Sequence, residues 1–167
     1  MNIHDIILKA EEQLYFEGFK KVGAFKECDY KMYLAHYIIN EIERYDDKDH
    51  LRIWTNSRIK DNGKDPLDIV IADIKQDRII AVINVKTWFK ELDWIERIYH
   101  LCKDGDPSIQ RYFISYHSPD HKLRVQTFKE SMQMKYPQLH FLPRAFKEDI
   151  FYNHQVAEFY RKKFSTK

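Results

Sequence analysis

Two runs of the chain are apolar almost without interruption: Pro66-Leu67-Asp68-Ile69-Val70-Ile71 and Ala81-Val82-Ile83-Asn84-Val85-Lys86. Their length and β-branched content predict strands covered on both faces. Elsewhere the period is helical. Residues 3–20 carry Ile3, Ile6, Ile7, Ala10 and Leu14 on one face, and Gly18 and Gly23 bracket the end. A second helix is predicted over 30–45, with Leu34, Tyr37, Ile38, Ile42 and Tyr45 inward and Asp29 as N-cap. Three strands follow, over 51–59, 66–74 and 78–88. Their turns are Lys60-Asp61-Asn62-Gly63 and Lys75-Gln76-Asp77. A helix over 89–103, a strand over 109–116 and a helix over 123–136 come next. A short edge strand at 140–142 and an amphipathic helix over 146–163 close the order. The strand–helix–strand step predicts a right-handed crossover with parallel pairing, and the first three strands read as a meander. The expected fold class is therefore α/β, a mixed central sheet with an αβββαβ core flanked by helices.

Composition adds bounds to this picture. The 167 residues suit one domain, 1–167, and 44% are apolar and 15% aromatic, enough for a sizeable core. A charged fraction of 32% with only 4 Gly and 5 Pro argues against a disordered chain. The net charge of +2 neither demands nor excludes nucleic acid, so only clustered Lys and Arg bear on it. Cys28 and Cys102 are far apart and form no CxxC pair, as reduced cytosolic thiols would be. The N-terminal stretch has early acids and no long apolar run, unlike a signal peptide. No apolar stretch approaches the ~20 residues of a membrane span. A cytoplasmic protein without membrane partners is the expectation.

The polar residues inside the two apolar runs carry the candidate chemistry. Asp68 opens the first run, and Asn84 and Lys86 are two apart on the second, hence on one face. Other constellations are weaker. His117 and His121 flank Pro119, which favours a surface loop over a metal-binding helix. Ser115 lacks a GxSxG context, and neither GxxxxGK[ST] nor GxGxxG occurs. Arg161-Lys162-Lys163 and Lys167 read as a solvated basic tail.

Asp on the second strand and xxK on the third, within this element order, resemble the PD-(D/E)xK nuclease superfamily of restriction endonucleases, junction resolvases and repair nucleases. The resemblance covers roughly residues 30–117 and leaves helical additions at both ends. It implies a restriction endonuclease-like fold and Mg²⁺-dependent cleavage of a nucleic-acid phosphodiester, DNA before RNA, with Mn²⁺ as an alternative ion. It also implies the residue roles. Asp68, the residue at Asn84, the Val85 carbonyl and a glutamate from the preceding helix, here Glu41 by helical phase, hold the metal. Lys86 positions the attacking water. Many members work as homodimers, so pairing of two copies is one assembly it suggests. For DNA contact the chain offers Arg58, Lys60 and Lys64 around the Gly63 turn, and Lys90 and Arg97 on the next helix.

Asn84 departs from the pattern, standing where a carboxylate is wanted. An amide coordinates through oxygen but brings no charge. Three readings stay open: Glu41 supplies the second carboxylate; cleavage has lapsed, leaving a DNA-binding or assembly subunit; or Asn84 is an inactivating substitution. A protein–protein module is a further alternative on fold grounds.

Overall fold

The computed structural model describes residues 2–18, 27–46, 48–57, 66–86, 108–117, 122–145 and 162–163. The helices expected over 89–103 and 146–163 fall almost wholly outside the described residues, as does the turn at Asn62-Gly63.

Helix α1 runs Ile3–Gln13, capped by Asn2, whose side chain accepts from the His4 N–H at 3.0 Å. Its α pattern stops at Gln13, and Leu14–Gly18 form one π-helical turn, so the predicted 3–20 helix changes type midway. Helix α2 runs Glu27–Ile42. It begins earlier than the apolar pattern indicates, and Asp29 lies in its first turn rather than capping it.

Five strands follow: β1 Leu51–Ser57, β2 Leu67–Asp73, β3 Arg78–Lys86, β4 Gln110–His117 and β5 His140–Ala145, with α3, Lys122–Lys135, between the last two. They form one mixed sheet in the order β1-β2-β3-β4-β5. The meander is antiparallel; β3–β4 and β4–β5 are parallel. This is the expected α/β architecture. The β2–β3 hairpin closes where Asp73 Oδ1 accepts the N–H groups of Lys75 and Gln76, both at 3.0 Å. Asp77 then takes a φ of 48°, a left-handed conformation that aspartate tolerates better than most residues.

Alternation along the strands divides the core into two layers. Ile69, Ile71, Ala81, Ile83, Val85, Tyr112, Ile114 and Tyr116 pack against Ile6, Ile7, Leu34 and Ile38 of α1 and α2. Val70, Val82, Phe113 and Phe141 face the other way, against Tyr136 and Leu139, with Phe128 and Met132 of α3 beside them. Each fully buried isoleucine contributes about 1.5–3 kcal/mol through its removal from water. Covering both faces explains the greasy character of β2 and β3.

β5 is longer than its sequence suggests, because Pro143 and Arg144 are accepted on an edge strand. Arg144 ties that edge to α1 through a bidentate pair with the fully buried Glu11, at 2.7 and 3.1 Å. Burial raises the Glu11 carboxyl above its ordinary range, with Arg144 pulling the other way.

Candidate functional site

The β2–β3 ladder pairs Ile69 with Ile83 and goes no further, although β2 begins at Leu67 and β3 continues to Lys86. On its other side β2 still pairs, Leu67 with Ser57. Leu67 packs with Val70 and Val82, not with Ile69, so β2 breaks its alternation at Asp68. Across from this point Asn56 takes a φ of 53°. The result is a gap between the ends of β2 and β3. The Asp68 carboxylate closes it: Oδ2 accepts the N–H of Val85 at 2.7 Å, replacing the missing strand partner.

The other carboxylate oxygen meets α2. Lys31 Nζ lies 2.7 Å from Asp68 Oδ1 and 2.8 Å from Oε1 of Glu27, one helical turn earlier. Lys86 reaches the same Glu27 oxygen at 3.1 Å. Two acids and two lysines thus link α2 to the open end of the hairpin. Asp68 is 4% exposed and Lys86 8%. Burial raises the Asp68 carboxyl above its ordinary value; Lys31, the Val85 N–H and Lys86 oppose that. Burial works against the charge on Lys31, but its bonds to Asp68 and Glu27 prevail and hold it above the usual lysine value.

The sequence-derived residues divide accordingly. Asp68 and Lys86 join one cluster. Glu41 does not. It is fully buried near the far end of α2, where Arg44 holds it at 2.5 Å and Gln13 at 2.9 Å, with Lys9 at 3.4 Å. Lys31 and Glu41 are ten residues apart, about 15 Å of helix. The glutamate beside the hairpin is Glu27, which precedes the predicted helix start at residue 30 and opens α2 in the structure. Asn84 is 2% exposed. Continuing the β2–β3 register sets its backbone opposite Asp68. Val85 is buried in register with Ile114. Arg58, Lys60, Lys64, Lys90 and Arg97 lie outside the described residues.

His117 was expected in a surface loop. It is instead the last residue of β4, 3% exposed, with Nε2 2.8 Å from Oγ of the buried Ser115. Ser115 is in register with Lys86, so this pair borders the cluster.

Among the described residues no three His, Cys, Asp or Glu side chains gather as a metal-holding group. The oxygens brought together here for a hard cation are the carboxylates of Glu27 and Asp68. Both carboxylates are engaged by Lys31. No helix among the described residues is long and apolar enough to cross a membrane. Comparison of the chain with protein-family models, with curated proteins and with solved structures finds no match in any of the three.

Proposed function

We propose that this chain has a restriction endonuclease-like fold and is a metal-dependent nucleic-acid phosphodiester hydrolase acting on DNA. One observation carries the reading: the meander opens at one end of β2–β3, where Lys31 joins Asp68 to Glu27 and Lys86 bonds the same Glu27. Phosphoryl transfer needs converging oxygens for a cation and an ammonium beside the reacting phosphate. The oxygens of Asp68 and Glu27 fit a hard cation, with the buried Asn84 amide as a neutral third donor. Mg²⁺ or Mn²⁺ bound there would offset charge on the phosphoryl oxygens and acidify a water.

The chain's own groups do the rest. Asp68 is fixed by the Val85 N–H, so one carboxylate oxygen keeps its position while the other turns to a ligand. Lys86, at the strand end beside Ser115, holds the attacking water or a phosphate oxygen. Glu27 takes the role expected of Glu41, because it stands at the end of α2 that meets the gap. Arg58, Lys60, Lys64, Lys90 and Arg97 supply phosphate contacts along the duplex.

A second reading is favoured by Asn84. With an amide there, the two acids and two lysines sum to zero charge, which suits a nuclease-fold subunit that binds DNA without cutting it. Cleavage of plasmid and oligonucleotide DNA decides between them. The wild-type chain is compared with Asn84→Asp and Asn84→Glu, each with and without Lys86→Ala, in Mg²⁺ and in Mn²⁺. Cutting that rises with a restored carboxylate and disappears without Lys86 supports the hydrolase. Salt-sensitive DNA binding with no cutting in any variant supports the binding subunit.

A further inference from the structure

Among the described residues Lys31 is the one cation bonded to both acids of the cluster, at 2.7 Å from Asp68 and 2.8 Å from Glu27. Lys86 touches Glu27 at 3.1 Å and reaches Asp68 only through space. The Lys31 side chain is 19% exposed, against 5% for that of Asp68. Its side chain is thus less enclosed than the carboxylate it binds. An ammonium and a divalent cation compete for the same hard oxygens.

We propose that Lys31 is a positioning residue that exchanges Asp68 for a substrate phosphate, so that cation and phosphodiester bind together and each binds weakly alone. The proposal rests on the hydrolase reading above. A cation taking the oxygens of Glu27 and Asp68 must release Lys31. That leaves a partly buried ammonium without an anion, which is unfavourable. A phosphodiester arriving alone meets two lysines already neutralised by two acids. When both arrive, the cation takes the carboxylates and Lys31 takes a phosphate oxygen, so the net charge of these groups falls from +2 with the cation alone to +1. The coupling is reciprocal by linkage: nucleic acid raises cation affinity by the factor by which the cation raises nucleic-acid affinity. The substrate feature selected is a phosphodiester able to reach both Lys31 and the cation.

The test reads Mn²⁺ affinity of the full chain by electron paramagnetic resonance, without and with a cleavage-resistant phosphorothioate duplex. In the wild-type chain the duplex should tighten Mn²⁺ binding by about tenfold or more. Lys31→Met should bind Mn²⁺ alone about tenfold more tightly than wild type, with little further gain from the duplex. Lys31→Arg, which keeps the charge, should retain the coupling. A measurement on the wild-type chain is independent of how the variants fold. The Lys31 ammonium resonance should move when Mg²⁺ and duplex are added together and stay in place with either alone. Equal coupling in wild type and Lys31→Met, or an unmoved Lys31 resonance while cation and duplex bind, overturns the exchange. If Asp68→Asn also abolishes Mn²⁺ binding, the hydrolase reading survives that result. Absence of Mn²⁺ binding in wild type, Lys31→Met and Asn84→Asp, with or without duplex, overturns both.

Discussion

Helix α2 presents a glutamate near each end, and the two are treated in opposite ways. Glu41 is enclosed: Arg44 and Lys9 supply cations, Gln13 donates an amide, and no part of it meets solvent. Glu27 keeps 30% of its side chain exposed and accepts two lysines at the edge of an opened hairpin. Glu11, locked to Arg144, belongs with Glu41. A sealed carboxylate is committed to holding two elements together, since removing its cation leaves an unmatched charge in the core. A half-open one can trade its partners for a ligand. Depth of burial alone does not mark a site here; the deepest acids are the structural ones.

The strongest way to break this contrast is to remove the partner of a sealed acid. Arg144→Met strands Glu11 and should cost about 3–5 kcal/mol in urea unfolding. A loss below 1 kcal/mol would mean that Glu11 is not sealed. Glu41→Gln should cost less, about 1–3 kcal/mol, because Arg44 and Lys9 are more than half exposed and return to water. Its Mn²⁺ binding should match wild type. Glu27→Gln should show the reverse, with at most about 1 kcal/mol of stability lost and Mn²⁺ binding lowered at least about tenfold. If Glu41→Gln and Glu27→Gln affect cation binding alike, the distinction fails.

The smallest effect concerns acid and lies away from both glutamates. Burial, and then the neighbouring His4, lower the pKa of His140 from its ordinary value. The unfolded chain therefore takes up a proton near pH 6.5 that the folded chain resists. Stability carried by neutral His140 is intact above that pH and declines as pH falls through the lowered folded value. Melting temperatures of wild type and His140→Gln between pH 7.5 and 5 should diverge in slope, the variant being flatter. Parallel curves would remove His140 from the account.

Asp68 and Lys86 were legible because a charged residue in a fully apolar strand stands out against β-branched neighbours. Glu27 was not, since the first turn of α2, Glu27-Cys28-Asp29-Tyr30, is largely polar and offers no apolar phase to extend the helix backwards. Its signal was Glu27 four residues before Lys31, a spacing that supports a helix N-terminus. Helical phase identified the buried face on which Glu41 lies, but phase says nothing about which end of a helix meets a strand terminus. His117 was misplaced because Pro119 suggested that the strand ended sooner. The mixed sheet followed from element order and connection length, which depend on topology more than on any side chain.

The bond from Asp68 to the Val85 amide makes one backbone proton a reporter. Amides within the ladder exchange with solvent only when strands separate, but this one is shielded by a side chain. Its exchange rate should follow the state of the Asp68 carboxylate rather than the stability of the sheet. Deuterium uptake at Val85 thus offers a label-free gauge of site occupancy, readable without turnover.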